Sequence, residues 1–526
     1  MKGFGDLYKS EKKRNKKTKP YIKLINNAIG LHLKGNIEEA AKYYQKIIDQ
    51  GYNDHRVFSN YGIILGGLGK LKEAENYARK AIEINPQFDD GYLNLGHLLI
   101  NLEKLEEAEI YTRKAIELNP SCVEAHLNLG NILRNFGKLE EAGKHISKAI
   151  EIKPNNAEAY NNLGTILLDL GKLRDAEIAY RHAIKLNPNY SKAYYSLSRI
   201  KYSHKDSTWL HQLFSQNIVN SKLKTEQIDI YFARANILHN ERKYEESARY
   251  LKIANDLQLT LYPSNAEGII NESKLLLIES DKKHTKKVEN DNCPQSIFIV
   301  GMPRSGSSLI ESIISMDNNV DDLGETTILK ESFLDNEKDN QISTLAERYW
   351  RKIKDLNKPC HITTNKQLYN YPFSGIIAKE IPNAKIIHCY RNPLDNILSI
   401  YRTRFNRGNE YSSSLVDCAR VYLDQEKIMS EYKKRFKSTI YELNYDSLVI
   451  NTNQEIKSLI SWLGWEWNNK YLSPHLNQRS VYTASSVQVR YPIHSKSIGG
   501  WKNYKDILRP AIEILTQIDK YQDINS

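Results

Sequence analysis

No apolar run in the 526-residue sequence approaches the ~20 residues that a membrane-spanning helix needs. No membrane span is therefore expected. Cysteine is scarce. The five present, Cys122, Cys293, Cys360, Cys389 and Cys418, lie far apart and show neither zinc spacing nor a disulfide framework. A reducing, cytoplasmic setting is the simplest expectation. The opening stretch, MKGFGDLYKSEKKRNKKTKP, has basic residues with no apolar segment behind them, so it does not read as a secretory signal. A basic face interleaved with aromatics is also missing, and so is any nucleic-acid module; no nucleic-acid partner is expected.

The composition is otherwise ordinary for a soluble chain, with 40% hydrophobic and 26% charged residues. The length calls for two or more domains. Net charge is +12. Part of it sits in a tail over residues 1–20, with Lys9, Lys12, Lys13, Arg14, Lys16, Lys17 and Lys19, which is expected to be solvated and disordered. A basic chain suits a polyanionic cofactor or acidic substrates.

The N-terminal half repeats itself. Pro86, Pro120, Pro154 and Pro188 are each 34 residues apart. Ala40, Ala74, Ala108, Ala142 and Ala176 keep the same period, as do Gly62, Gly96, Gly130, Gly164 and Ser198. Small residues allow two helices to approach, and proline ends the second helix of each pair. Gly35, Gly69, Gly137 and Gly171 mark the turns inside the pairs, with Glu103 as the one departure. The period and pattern resemble tetratricopeptide repeats, which are pairs of antiparallel helices. They are expected over 21–205, followed by a helical connector with a divergent repeat over 206–290.

Asn26, Asn60, Asn94, Asn128 and Asn162 also recur at this period. They are either a helix-surface residue copied with the unit or an amide ladder along the groove. Amides donate and accept together, which suits a peptide backbone. The ladder is similar to the one lining the repeats of O-linked N-acetylglucosamine transferase. That likeness implies a polypeptide bound through Asn60, Asn94, Asn128 and Asn162.

The stretch SIFIVGMPRSGSSLIESII, Ser296–Ile314, reads as a buried strand, a small-residue loop and a helix start. Such a junction cradles a phosphate-like anion on backbone N–H groups and a helix N-terminus. The spacing nearly matches the nucleotide-binding Gly-x-x-x-x-Gly-Lys-Ser/Thr loop, with Gly301 and Gly306 in register. Ser307, however, stands where that loop needs lysine, which argues against phosphoryl transfer from ATP. Arg304 instead puts a permanently charged fork inside the loop. Apolar runs at Ile362–Thr364, Lys385–Cys389 and Thr439–Tyr441 alternate with helical patterns at Ile397–Phe405 and Leu415–Tyr432. Alternation of this kind predicts a parallel sheet with helices on its faces.

PRSGSSL resembles the PRSGTTL loop of sulfotransferases. Further segments, in order, are similar to bacterial tetratricopeptide-repeat sulfotransferases, whose catalytic domain is similar to protein-tyrosine sulfotransferases. The resemblance implies an α-solenoid followed by a P-loop-like α/β sulfotransferase domain over 291–526, with a central parallel sheet. It implies 3′-phosphoadenosine 5′-phosphosulfate as donor and no metal. The loop residues Arg304, Ser305, Gly306, Ser307 and Ser308 would hold the 5′-phosphosulfate. Arg391 and Ser399, in RNPLDNILSIY, would hold the 3′-phosphate. Glu325, in LGETT, would be the general base, since a tyrosine hydroxyl titrates near 10. Lys366, in TTNKQ, would stabilise charge on the leaving phosphate together with Arg304. Tyr445 would lie near the cofactor. The run VYTASSVQVRYPIHSKSIGGWKNY would add Ser485, Ser486 and Trp501. In that run Gly500 replaces a basic residue of the family pattern, for which Lys496 or Lys502 could substitute. His361, His388 and His494 are weaker base candidates.

The resulting expectation is sulfuryl transfer to a protein tyrosine held by the repeat groove. A surface saccharide remains an alternative acceptor, and a non-catalytic repeat adaptor a further one. Nothing in the sequence sets the oligomeric state, and a homodimer stays open.

Overall fold

The computed structural model describes residues 21–200, 207–220, 222–282, 294–335, 344–355, 361–405, 408–477, 479, 481, 483, 485 and 487–524. The basic tail of residues 1–20 and Ser486 lie outside the described residues. Two compact units divide the chain, Met1–Ile166 and Leu167–Ser526.

The first unit is the repeat array. Its helices include Ile37–Asp49, His55–Gly67, Leu71–Ile84, Asp89–Asn101, Leu105–Leu118, Val123–Asn135 and Leu139–Ile152. The periodic small residues are where paired helices touch. A Cβ on Gly96 would meet Thr112 Oγ1 at 2.5 Å, and one on Gly130 would meet Ile146 Cδ1 at 2.5 Å. The periodic alanines are fully buried. Glu103 occupies its glycine-like turn with φ +61°, matching Gly69 at +80° and Gly137 at +72°. A left-handed non-glycine residue costs about 1 kcal/mol there.

The second unit begins inside the fifth repeat, at Leu167. Helices Leu173–Leu186 and Ser191–Ser198 pack in sequence toward the connector helix Lys224–Asn240. The connector in turn shares one apolar core with the C-terminal elements: Ile228, Phe232 and Leu251 cluster with Leu394, Ile397, Cys418 and Trp501. Apolar burial therefore welds the connector to the C-terminal core.

That core is a five-stranded, all-parallel sheet in the order β2-β3-β1-β4-β5. The strands are β1 (Gln295–Gly301), β2 (Val320–Asp322), β3 (Ile362–Asn365), β4 (Ala384–Tyr390) and β5 (Ile440–Asn444). β2 is three residues of VDD with no alternation to mark it. β1 and β4 are buried almost throughout, as strands covered on both faces must be. β1 pairs with β3 on one side and β4 on the other. The chain thus reverses its strand order at β1, and the crevice beyond the carboxyl ends opens there.

A candidate donor-binding and transfer site

Close approach to β4 explains the first glycine of the loop after β1. Gly301 has φ +141°, and a Cβ there would lie 2.2 Å from the Cys389 carbonyl oxygen. Gly306 has φ +94°, and its Cβ would lie 2.3 Å from Cδ2 of the Tyr445 ring. Helix Ser307–Ile314 starts immediately after it. Ser305, Ser307 and Ser308 are buried. Ser305 Oγ has no partner among the described residues, and Ser308 Oγ lies 3.1 Å from Thr483 Oγ1.

Arg304 sits in the left-handed region at φ +67°. Each guanidinium nitrogen has one partner, leaving two N–H groups for a ligand: Nε donates to Ser399 Oγ at 3.1 Å, Nη1 to Ser485 Oγ at 2.5 Å and Nη2 to Gln488 Oε1 at 2.7 Å. None of these acceptors is charged. Burial, and then the guanidinium groups of Arg199, Arg391 and Arg402, push its pKa down to about 10. An anion among these like charges would relieve the repulsion.

Arg391 follows β4, and the helix after it, Pro393–Tyr401, is well specified. Asn392 caps it by accepting from the Leu394 and Asp395 N–H groups, with Pro393 in the first turn. The Arg391 guanidinium donates to the Ser497 carbonyl at 2.9 Å and lies 4.7 Å from the Tyr445 ring centroid. Its Nε is buried with no hydrogen-bond partner among the described residues. Tyr445 Oη and Ser497 Oγ are 3.1 Å apart. Ser399 touches Arg304 rather than Arg391, yet all three line one cavity of about 420 Å³ with Gly306, Ser308 and Ser485.

On the β2–β3 side, Lys366 is fully buried just past β3. Its Nζ lies 2.5 Å from Glu325 Oε1 and 3.9 Å from Glu311 Oε2. The Glu325 side chain is 42% exposed, so one end of this pair reaches solvent. Arg479 supports the cluster from below, 3.1 Å from Glu311 and 2.7 Å from Asp322. Glu325 and Lys366 are not among the residues lining the cavity. The arginine-lined cavity and the carboxylate–ammonium pair are thus separate features, the pair reaching helix Ser307–Ile314 through Glu311.

In the C-terminal run, Lys496 and Gly500 line the cavity and Lys502 does not. Trp501 is buried in the apolar core, away from the lining, and its backbone N–H donates to Asp395 Oδ1 at 2.9 Å. Asp395 also accepts from the Gly499 N–H at 2.7 Å, and burial raises its pKa. His388 is buried beside Gln425; burial, then Lys433, lowers its pKa to about 3. In the repeat array, Asn94 Nδ2 donates to Ser59 Oγ at 2.9 Å and Asn60 hydrogen-bonds the Tyr44 hydroxyl. Asn128 is half-buried, and Asn162 Nδ2 is buried with no partner among the described residues.

Several site residues carry no sequence signal of their own. Thr483 and Gln488 sit within the C-terminal run, where the resemblance could have drawn attention to them. Tyr195, Asn236 and His239 come from the last repeat and the helical connector, outside every motif, yet they line the cavity.

Comparison with known proteins agrees with this architecture. Residues 294–469 match the model of the sulfotransferase family. Residues 121–189 match a tetratricopeptide repeat model, and residues 28–142 match the middle TPR-like domain of cilia and flagella-associated protein 70. An uncharacterized protein of Aquifex aeolicus (strain VF5) is 26% identical over 327 residues, 56% of this chain. The aligned region spans 43% of that relative. Among solved structures, YrrB, titled a TPR protein with an unusual peptide-binding site, is 26% identical with a TM-score of 0.29. The match covers 35% of this chain and 94% of that one. A thermophilic TPR protein of Thermus thermophilus is 18% identical with a TM-score of 0.29, over 32% of this chain and 92% of that one. The chain joins tetratricopeptide repeats to a sulfotransferase-family domain.

Proposed function

We propose that this protein moves a sulfuryl group from 3′-phosphoadenosine 5′-phosphosulfate to a hydroxyl acceptor, with a protein tyrosine as the acceptor. The match of residues 294–469 to the sulfotransferase family supports sulfuryl transfer in general. The observation that carries the donor assignment is the convergence of Arg304, Arg391, Arg199 and Arg402 on one cavity, with Asp395 as the acid lining it. Arg391 lines this cavity, and its Nε has no hydrogen-bond partner among the described residues, its nearest carboxylate being Asp446 at 4.0 Å; a bound anion would satisfy it. The residues present fit the group. The loop from Arg304 to Ser308 would hold the 5′-phosphosulfate, and Arg391 and Ser399 the 3′-phosphate. Bound there, the donor supplies an activated sulfuryl group on a good leaving phosphate.

The chain's own part is positioning and proton transfer. Glu325 accepts the proton of the acceptor hydroxyl, its carboxylate being held by Lys366 at 2.5 Å. Arg304 and Lys366 would offset the charge left on the donor's phosphate as its sulfuryl group passes to the acceptor oxygen. The buried Glu311–Arg479 pair fixes Lys366 from beneath.

Tetratricopeptide repeats suit a polypeptide partner, which favours a protein acceptor over a surface saccharide. Asn128 is the better candidate for a backbone contact, since the Asn60 and Asn94 amides already serve neighbouring helices and Asn162 Nδ2 is buried. The test is transfer of radiolabelled sulfate from the donor into a fractionated lysate, comparing wild type with Glu325→Gln. Label in protein that survives glycosidases and vanishes in the variant supports tyrosine sulfation. Label confined to polysaccharide overturns the acceptor. No label anywhere, with no donor binding, overturns the reading as a whole and leaves an adaptor.

A further inference from the structure

One wall of the donor cavity comes from outside the sulfotransferase-family residues. Tyr195, Ser198, Asn236 and His239, from helices Ser191–Ser198 and Lys224–Asn240, line the same cavity as Arg304 and Ser399. Hydrogen bonds fix the polarity of this wall.

The Ser247 hydroxyl donates to the Ala235 carbonyl at 2.8 Å, so its oxygen can only accept from Tyr504 Oη, 3.0 Å away. Tyr504 has then spent its proton. Its oxygen, 2.9 Å from His239 Nδ1, must accept from that nitrogen. Nδ1 therefore carries the imidazole hydrogen. The ring is neutral, because burial and then Arg402 lower its pKa to about 3. Its Nε2 is thereby left as an acceptor. The Tyr504 and Tyr244 rings pack on the imidazole with centroids 5.9 and 5.6 Å away, and this fixes its orientation.

Asn236 obeys the same logic. Ser198 Oγ donates to the Tyr195 carbonyl at 2.7 Å, so it accepts from Asn236 Nδ2 at 3.1 Å. The amide is locked with its oxygen as the remaining acceptor. His239 and Asn236 lie three residues apart on one helix, so they share a face.

We infer that this connector wall reads the base of the donor nucleoside, with Asn236 Oδ1 and His239 Nε2 accepting from an exocyclic amine. Two fixed acceptors match the two N–H groups of the adenine 6-amino group. They repel the carbonyl oxygen that hypoxanthine or guanine presents at the same place. The Tyr195 side chain supplies an aromatic neighbour for the base. This inference rests on the donor assignment above and adds a base-specificity determinant, built from the repeat-side helices, to the anion cradle.

Equilibrium binding to the full chain tests it with three ligands: adenosine 3′,5′-bisphosphate, inosine 3′,5′-bisphosphate and a base-free methyl riboside 3,5-bisphosphate. The adenosine ligand is expected to bind at least about tenfold more tightly than the inosine ligand, since a buried acceptor facing a carbonyl is left unpaired. In Asn236→Leu that preference should fall by about tenfold, with base-free binding unchanged. His239→Phe keeps the ring packing and should do the same; it serves as the second variant in case one of them folds poorly. Equal affinities for adenosine and inosine ligands in wild type, with the base-free ligand still bound, overturn the inference and spare the donor assignment. Binding of none of the three overturns both.

Discussion

Replacing Gly306 by alanine tests the loop geometry directly. Two separate costs are expected. Alanine at φ +94° is strained by about 1–2 kcal/mol. Its Cβ would also sit 2.3 Å from Tyr445 Cδ2, and overpacking of this kind costs about 1–3 kcal/mol. The Tyr445 ring has little freedom to yield, because Arg391 lies over its face and its hydroxyl meets Ser497. Removing the ring with Tyr445→Ala leaves only the backbone term. A double-mutant cycle should therefore show Gly306→Ala costing about 2–5 kcal/mol in the native background and about 1–2 kcal/mol without the ring. All six tryptophans, Trp209, Trp350, Trp462, Trp465, Trp467 and Trp501, fall in the second compact unit. Urea unfolding followed by tryptophan fluorescence thus reports this unit and not the repeat array. Equal costs in the two backgrounds would refute the packing of Tyr445 against the loop.

Further outcomes follow from the site. Glu325→Gln should lower the transfer rate by about 10²–10⁴-fold while adenosine 3′,5′-bisphosphate still binds, as read by single-turnover assay and calorimetry. Lys366→Met should slow transfer by about 10²–10³-fold in the same assay; an unchanged rate would remove Lys366 from the chemistry. Alanine at Asn128 should raise KM for a peptide acceptor several-fold and leave that for a saccharide unchanged, by competition between the two. The second unit should also be acid-sensitive. His239 and His388 have folded pKa values lowered by burial to about 3, against about 6.5 when unfolded. Below pH 6.5 the unfolded chain binds the extra protons, so stability is intact above that value and falls as pH drops toward 3. A loss of about 2–4 kcal/mol by pH 5 should appear in the urea midpoint, and His388→Gln should reduce it.

Much of the architecture was legible because its causes are local. The 34-residue period is imposed by helix pairs whose glycines admit a neighbouring side chain, as Gly96 admits Thr112. Buried strands announce themselves as apolar runs, and β1, β3, β4 and β5 overlap the segments read as such. β2 was not read, since three half-buried residues with two aspartates leave no pattern. The helix read as Ile397–Phe405 begins earlier, at Pro393, where Asn392 provides the cap. Of the candidates carried by contiguous motifs, Arg304, Ser308, Arg391 and Ser399 line one cavity, whereas Lys366 and Glu325 do not. What sequence order hides is the partner across space. Arg304 binds Ser399, Ser485 and Gln488, which are up to 184 positions away, and no local pattern encodes that meeting. The connector wall was invisible for the same reason.

Arg490 shows what this means for anyone who would cut the protein apart. Its guanidinium donates to the carbonyls of Asn477 at 2.7 Å, Arg479 at 2.8 Å and Asp169 at 2.5 Å, and it lies against Gly171 in the turn of the fifth repeat. Two residues earlier the same run supplies Gln488 to Arg304. A fragment trimmed to the sulfotransferase-family residues, 294–469, would lose this strap, the connector wall and the run that steadies the loop arginine. The second compact unit, which holds every residue lining the cavity, begins at Leu167. A graft of this domain onto another repeat array is therefore expected to need the last repeat carried with it.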